Sequence, residues 1–415
     1  MKDRPATPLP PESLRGLVKD VLVRRNVYLS AAAAAGSPLY VFEPEVLRRR
    51  AREFRETFAA VSPGAGVFYA VKSNNHPGVA RTLAGAGLGL DVSSGEELKL
   101  ALEAGAEEIV FSGPGKTESE LSLAAARRDR VTVLLDSFGE LERLHRAVSS
   151  GPPVRAGVRL TTDERALWAK FGIPFSGLAG FWKAAEAYPG IRLRGCQFHS
   201  SWNLEPGNHV ACLEKLGRVL AGMEGRFLEA VEFVDIGGGF WPEEGEWLHR
   251  PDGGRVNPDN RDRDPLVHFH RPAVPIAVFA ERIGEVFRKE ILSRTAARLC
   301  LEPGRWICHP AMQILLRVED RKAPDLVITD GGTNAVGWER YETDYFPVIN
   351  LTRPGLSEFP CRVLGSLCTP HDVWGYSCHG REILPGDFLL IPRQGAYTYS
   401  LRQQFIKPLP RAVFL

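Results

Sequence analysis

Between about residues 66 and 304 the chain alternates short apolar runs, rich in Val, Ile, Leu and Phe, with longer stretches of helical periodicity. Each run is continuously apolar rather than alternating, the pattern of a strand buried on both faces in a parallel sheet. Eight runs can be read: GVFYAV (66–71), LGLDVS (88–93), EIVFSG (108–113), VTVLLDS (131–137), VRAGVRL (154–160), LRGCQFHS (193–200), FVDIGGG (233–239) and RLCLEPG (298–304). Helix signals separate them. In SGEELKLALEAG (94–105) a Ser opens the turn, acidic residues follow and a Gly closes it. Parallel strands need crossovers, so eight strand–helix units predict a (β/α)8 TIM-like barrel, with an open doubly wound sheet as the competing topology.

After residue 305 the texture becomes β-rich, in AMQILLRVEDR, DLVITDGG, CRVLGSL, REILPGDFLLIP and QFIKPLPRAVFL. We therefore expect the barrel over 45–304 and a second, mostly β domain from 1–44 and 305–415, with SPLYVFE lending it a strand. A chain of 415 residues exceeds what one hydrophobic core serves, which agrees with two domains. A polar, turn-rich insertion at 241–272 lies between the seventh strand and the next helix and reads as a lid, an interface element or a mobile surface loop.

Composition narrows the partners. With 52 basic and 50 acidic residues and no charged tract, nothing points to nucleic acid or an anionic membrane. No run is long enough to span a bilayer and the N-terminus lacks the apolar core of a signal peptide, so the expectation is a cytoplasmic protein. Seven irregularly spaced cysteines suggest reduced thiols.

Barrel enzymes place their chemistry at the C-terminal ends of the strands. Here those ends carry Lys72, Asp91 with Ser93, Asp136, Arg159, His199, Gly237 to Gly239, and Glu302 to Arg305. A lysine at a buried strand end has its amine pKa lowered by desolvation and can form an imine; a plain ion pair with Asp91 is the alternative. A glycine triplet after the seventh strand suits a phosphate, although a tight turn explains it equally well. Glu302 and Arg305 offer an acid for a cationic ring nitrogen and a guanidinium for a carboxylate, or else a surface ion pair. Taken together these groups suit pyridoxal phosphate.

The chain also resembles the fold-type III pyridoxal-phosphate decarboxylases, the family of diaminopimelate, ornithine and arginine decarboxylases. The resemblance runs through Tyr69-Ala-Val-Lys72, Asp91-Val-Ser-Ser-Gly-Glu96, Lys170-Phe-Gly172, His199, Gly237-Gly-Gly239, Glu302-Pro-Gly-Arg305, Cys368 with Asp372, and Gly395-Ala-Tyr397, in that order. It implies that Lys72 carries the cofactor as an imine, His199 stacks on the pyridine ring and Glu302 pairs with the ring nitrogen. Gly238, Gly239, Gly304, Arg305 and Tyr397 would hold the phosphate, and Asp91 and Arg159 would complete the cofactor site. Cys368 would return a proton to the α-carbon, and the protein would be a homodimer with shared active sites. A racemase would need a base in place of Cys368, and a non-catalytic regulatory homologue would not need Lys72, Glu302 and Cys368 together.

Two motifs are set aside. SGPGKT (112–117) lacks the first glycine of a P-loop, since residue 110 is Val. Cys368, His371, Cys378 and His379 match no common zinc spacing, so no metal is expected.

The departures from the family concern the substrate. The position after the catalytic cysteine is usually acidic and grips a distal amine; here it is Thr369, with Asp372 as a partial replacement. The diacid pocket of diaminopimelate enzymes falls on Trp338 and Glu342, with Arg340 and Tyr341 nearby, and Ser201 and Trp202 follow His199 where Gly and Ser are usual. The substrate-binding candidates are Arg305, Thr369, Asp372, Arg340, Glu342 and Tyr397. These changes suggest a specialised α-amino acid, such as a citryl-diamino acid intermediate of siderophore biosynthesis, with diaminopimelate or a D- or L-diamino acid as the alternative.

Overall fold

The structure, a computed structural model, describes residues 6–148, 151–165, 167–245, 248, 266–337 and 345–415. The chain divides into two compact units, Leu47–Trp241 with Val274–Ile307, and Met1–Val46 with Pro242–Ala273 and Cys308–Leu415.

In the first unit eight parallel strands close into a barrel: Gly66–Ala70, Gly89–Val92, Ile109–Phe111, Val131–Leu135, Val154–Leu160, Ile191–Phe198, Phe233–Asp235 and Arg298–Leu301. Each falls within one of the apolar runs or overlaps it closely. The last strand pairs with the first through Cys300 beside Gly66 and Leu301 beside Val67, which excludes the open sheet. Phe68, Val110, Leu134, Phe233 and Cys300 fill part of the interior. Phe233 needs room: a Cβ on Gly195 would lie 2.3 Å from its carbonyl oxygen and one on Gly157 would lie 2.7 Å from its ring. The expected helix after the second strand runs Gly95–Glu103, with Ser94 Oγ accepting the Glu97 N–H at 3.2 Å.

The second unit is built on an eight-stranded, mostly antiparallel sheet. Its long strand Met312–Ala323 pairs with Phe388–Ile391, Leu39–Phe42 and Leu326–Thr329, so SPLYVFE does supply a strand. Two helices, Pro11–Val23 and Arg25–Ala35, precede that strand and bury Val18, Val21, Tyr28 and Ala32 against Leu39, Val41, Leu315 and Leu390.

The segment 242–273, which holds nearly all of the 241–272 insertion expected between the seventh strand and the next helix, groups with the β-rich unit. The cause is visible at its ends. Phe269–His270 pairs with Thr7–Pro8, Leu248 bridges Tyr345, and the buried His268 holds Glu358 at 2.7 Å and the Tyr345 hydroxyl at 3.1 Å. No helix among the described residues is long and apolar enough to cross a membrane.

Candidate active site

The first barrel strand ends in a 3-10 turn, Val71–Ser73, and Lys72 sits at its centre. Its Nζ lies 2.6 Å from Asp91 Oδ2, while Ser112 Oγ donates to Oδ1. Asp91 is wholly buried on the neighbouring strand, in register with Ala70 and Val110. Burial pushes the Asp91 carboxyl up and the Lys72 ammonium draws it back. The ion pair weighed for Lys72 is therefore present. The pair favours the ammonium form, so it positions Lys72 at the barrel mouth without activating it; about a third of the side chain (33%) stays exposed, where an imine can form once the proton is lost.

Glu302 follows the eighth strand and is 1% exposed. Gln197, which points inward two residues before His199, donates its Nε2 to both Glu302 oxygens at 3.2 and 3.3 Å. His199 Nδ1 accepts the Gly238 N–H at 3.1 Å, so the ring proton sits on Nε2, which donates to Ser201 Oγ at 3.2 Å. That tautomer is neutral: burial, with Lys72 and Arg159 nearby, pushes the His199 pKa down to about 3. The 3.7 Å approach of Nδ1 to Glu302 is hence a contact between two acceptors and not a salt bridge.

The triplet Gly237–Gly239 binds inward and leaves one donor over. Gly237 N–H goes to Asp235 Oδ1 at 2.8 Å and Gly238 N–H to His199, whereas the N–H groups of Gly239 and Gly304 donate to nothing among the described residues. Gly239 takes φ 80°, and a Cβ there would lie 2.0 Å from the Ser200 carbonyl oxygen. A Cβ on Gly304 would lie 2.5 Å from Ser73 Oγ, which binds this loop to the lysine turn. Two unspent N–H groups on glycines that admit close approach suit a phosphate. Underneath, His209 lies 3.0 Å from the Gly238 carbonyl through Nε2 and stacks on Phe240 at 5.0 Å.

The Arg305 guanidinium lies against a pair of indoles whose ring centroids are themselves 5.0 Å apart, with its central carbon 5.0 Å from the Trp202 ring centroid and 4.6 Å from that of Trp241. Arg159 donates to the Ser112 carbonyl at 3.2 Å and stacks over Phe171 at 4.6 Å, and Asp136 accepts the Gly172 N–H at 3.0 Å. These contacts fasten the Lys170-Phe-Gly172 loop to the strand ends.

A pyridoxal-binding family model, described as the pyridoxal binding domain of pyridoxal-dependent decarboxylases, matches residues 45–309. The chain belongs to that family. It is an amino-acid decarboxylase, a carboxy-lyase, and its cofactor is pyridoxal phosphate. The chain is 30% identical over 403 residues to the diaminopimelate decarboxylase of Actinosynnema pretiosum, covering 90% of this chain and 82% of that one. Against the Aquifex aeolicus diaminopimelate decarboxylase it is 24% identical, covering 90% and 85%. Among solved structures, the M. jannaschii diaminopimelate decarboxylase aligns with TM-score 0.76 at 24% identity over 93% of this chain and 88% of that one. The Vibrio vulnificus lysine/ornithine decarboxylase complexed with putrescine aligns with TM-score 0.73 at 21% identity, covering 94% and 98%. At these identities the solved structures speak for the fold.

The other candidates lie in the β-rich unit or outside the described residues. Cys368 is exposed, and Thr369 is half-buried beside it. Tyr397 takes φ 54°, an uncommon backbone for a residue with a side chain, in the Gly395-Ala-Tyr397 turn. Arg340 and Glu342, together with Trp338 and Tyr341, fall outside the described residues. Asp372 is placed against the role expected of it. It is 2% exposed and accepts Thr333 N–H at 2.7 Å, Thr333 Oγ1 at 2.9 Å and Leu367 N–H at 2.7 Å, so its carboxylate is spent on bracing the cysteine loop. Asp372→Ala should cost about 1–3 kcal/mol of stability, since it strands two buried N–H donors. Urea unfolding measures this; a higher KM with unchanged stability would return Asp372 to the substrate. Lys116 of the discounted SGPGKT is buried and bonded to Glu140 at 2.8 Å and the Leu134 carbonyl at 2.7 Å, a core brace.

The low pKa of His199 sets a pH dependence. An unfolded histidine takes up its proton near 6.5 and the buried ring does so only near 3. Above pH 6.5 both states are neutral and the difference contributes nothing. As pH falls from 6.5 towards 3 the unfolded chain gains a proton that the folded one refuses, so stability declines over that window. His199→Asn should flatten the decline in acid-unfolding curves, and the proton resonances of His199 should not titrate between pH 5 and 8.

Proposed function

We propose that this decarboxylase acts on an α-amino acid whose far end carries a carboxylate, and that Arg305 receives that carboxylate. The observation carrying the reading is the position of Arg305 against the paired indoles of Trp202 and Trp241, three residues past Glu302. Contact with the indole faces restricts where the guanidinium can sit, and a guanidinium so placed can recognise a carboxylate in bidentate fashion. Two facts support it. Thr369 offers no charge to a distal ammonium, and the Actinosynnema and Aquifex relatives are named diaminopimelate decarboxylases. Diaminopimelate and a citryl-diamino acid both end in carboxylates; lysine and ornithine end in an amine.

The cofactor, when bound, supplies the electron sink that takes up the pair left by departing CO2. The residues of this chain do the rest. Lys72 Nζ holds the cofactor covalently, with Asp91 keeping the amine in place. Glu302, held by the Gln197 amide, would face the ring nitrogen. The neutral His199 ring would lie against the ring face, and the N–H groups of Gly239 and Gly304 would receive the phosphate, with Arg159 as a further holder. Cys368 delivers the proton to the α-carbon. A homodimer belongs to this reading, with the Cys368 loop of one copy serving Lys72 of the other.

Arg305→Ala should raise KM about 10- to 100-fold for a distal-carboxylate substrate. Trp202→Ala, which removes one of the two indoles against the guanidinium, should raise it about two- to fivefold with kcat little changed. Steady-state kinetics decide this, and an Arg305→Ala enzyme with unaltered KM would sink the assignment.

A further inference from the structure

Beneath Glu302 lies a second carboxyl group. Asp235 ends the seventh strand, is fully buried, and sits in register with Gln197 on one side and Cys300 on the other. Its Oδ1 accepts the Gly237 N–H, but Oδ2 has no donor, although the Glu302 side chain lies within hydrogen-bonding reach. Gln197 shows the complementary gap: its Nε2 is spent on Glu302 and its Oε1 is buried without a donor. Asp235 and Glu302 are therefore two buried carboxyl groups in reach of each other with no donor for Asp235 Oδ2, and one proton shared on Asp235 would turn that contact into a hydrogen bond.

The location of that proton follows from the surroundings. Glu302 already accepts from the Gln197 amide through both oxygens, so it is placed as the acceptor of the pair. Asp235 is packed with Phe233, Cys300 and Cys196 and feels the negative charges of Glu302 and Asp91, and its pKa is raised well above the usual carboxylate range by burial and by Glu302. Ionised, it would be a second buried anion in contact with the first.

We propose that Asp235 is a positioning residue that stays protonated in the folded enzyme, its O–H and the Gln197 amide together holding Glu302 as the charged carboxylate beneath the cofactor. The functional half rests on the assignment of Glu302 to the ring nitrogen; the proton itself does not.

The test is infrared spectroscopy of the full-length enzyme, carrying aspartate isotopically labelled at the side-chain carboxyl, in light and heavy water at neutral pH. A protonated-carboxyl band that shifts with the label, and is lost in Asp235→Asn, is the expected result. Absence of the band from the wild type, or its survival in Asp235→Asn, overturns the proposal. Should Asp235→Asn fail to fold, Asp91→Asn replaces it: persistence of the band supports Asp235, and its loss overturns the assignment. The visible absorption of the loaded enzyme separates the two levels. If the band behaves as expected but Glu302→Gln leaves that absorption and its pH dependence unchanged, the assignment of Glu302 to the ring nitrogen fails while the proton on Asp235 stands.

Discussion

Lys72→Ala removes both activity and the retained cofactor. Decarboxylation should fall by roughly a thousandfold or more, the scale of losing a covalent group that no neighbour replaces. Lys116 is locked to Glu140 in the core, so it offers no substitute amine. The more direct reading is spectroscopic. Wild-type enzyme passed through a desalting column should keep the visible band of the bound cofactor, and the variant should lose it. Lys72→Ala should also leave Asp91 buried without its cation, so the variant should become less stable as pH rises and Asp91 is forced to ionise. A variant that kept the covalent cofactor band would show that Lys72 is only the partner of Asp91.

Cys368→Ala divides the reaction at its second half. CO2 departure does not need the thiol, so its release should continue, reduced by roughly tenfold to a hundredfold. The protonation that follows should go astray, and the amine should give way to aldehyde and to cofactor lost as its aminated form. Quantifying CO2, amine and aldehyde from one reaction checks this. Equal amounts of CO2 and amine would remove Cys368 from the mechanism. Because Cys368 is exposed on its loop, alkylation of the wild type should reproduce the same imbalance.

The barrel was legible because its strands are buried on both faces, so each appears as an unbroken apolar run with a polar residue where the run stops. That same signature placed Lys72, Asp91, His199 and Glu302 at strand ends. Gln197 and Asp235 were passed over because they lie within the runs LRGCQFHS and FVDIGGG, where a polar residue reads as tolerated rather than chosen. Counting back two residues from His199 and from Gly237 puts both inside the barrel, and that alternation was the available signal. The strand Val373–His379 escaped because VWGYSCH mixes glycine and polar residues with its aromatics.

Tertiary contacts were harder to foresee. The polar texture of 242–273 says nothing about which unit it joins; His268 reaching Glu358 and Phe269–His270 pairing with Thr7–Pro8 decide that, across separations of 90 and more than two hundred residues. Asp372 looked available for a substrate because sequence shows a carboxylate and not the N–H groups of Thr333 and Leu367 that consume it. Trp202 stands out in sequence as a departure from the family, but its partner Trp241 does not, since the two indoles, 39 positions apart, meet only in the folded chain.

The central claim concerns the far end of the substrate, and one comparison tests it most directly. Purified enzyme loaded with pyridoxal phosphate should be assayed for CO2 release from meso-diaminopimelate, a citryl-diamino acid, lysine and ornithine under identical conditions. Distal-carboxylate substrates should exceed lysine and ornithine in kcat/KM by about tenfold or more, and Arg305→Ala should erase the difference. Preference for lysine or ornithine, or a preference for carboxylates that survives Arg305→Ala, would contradict it.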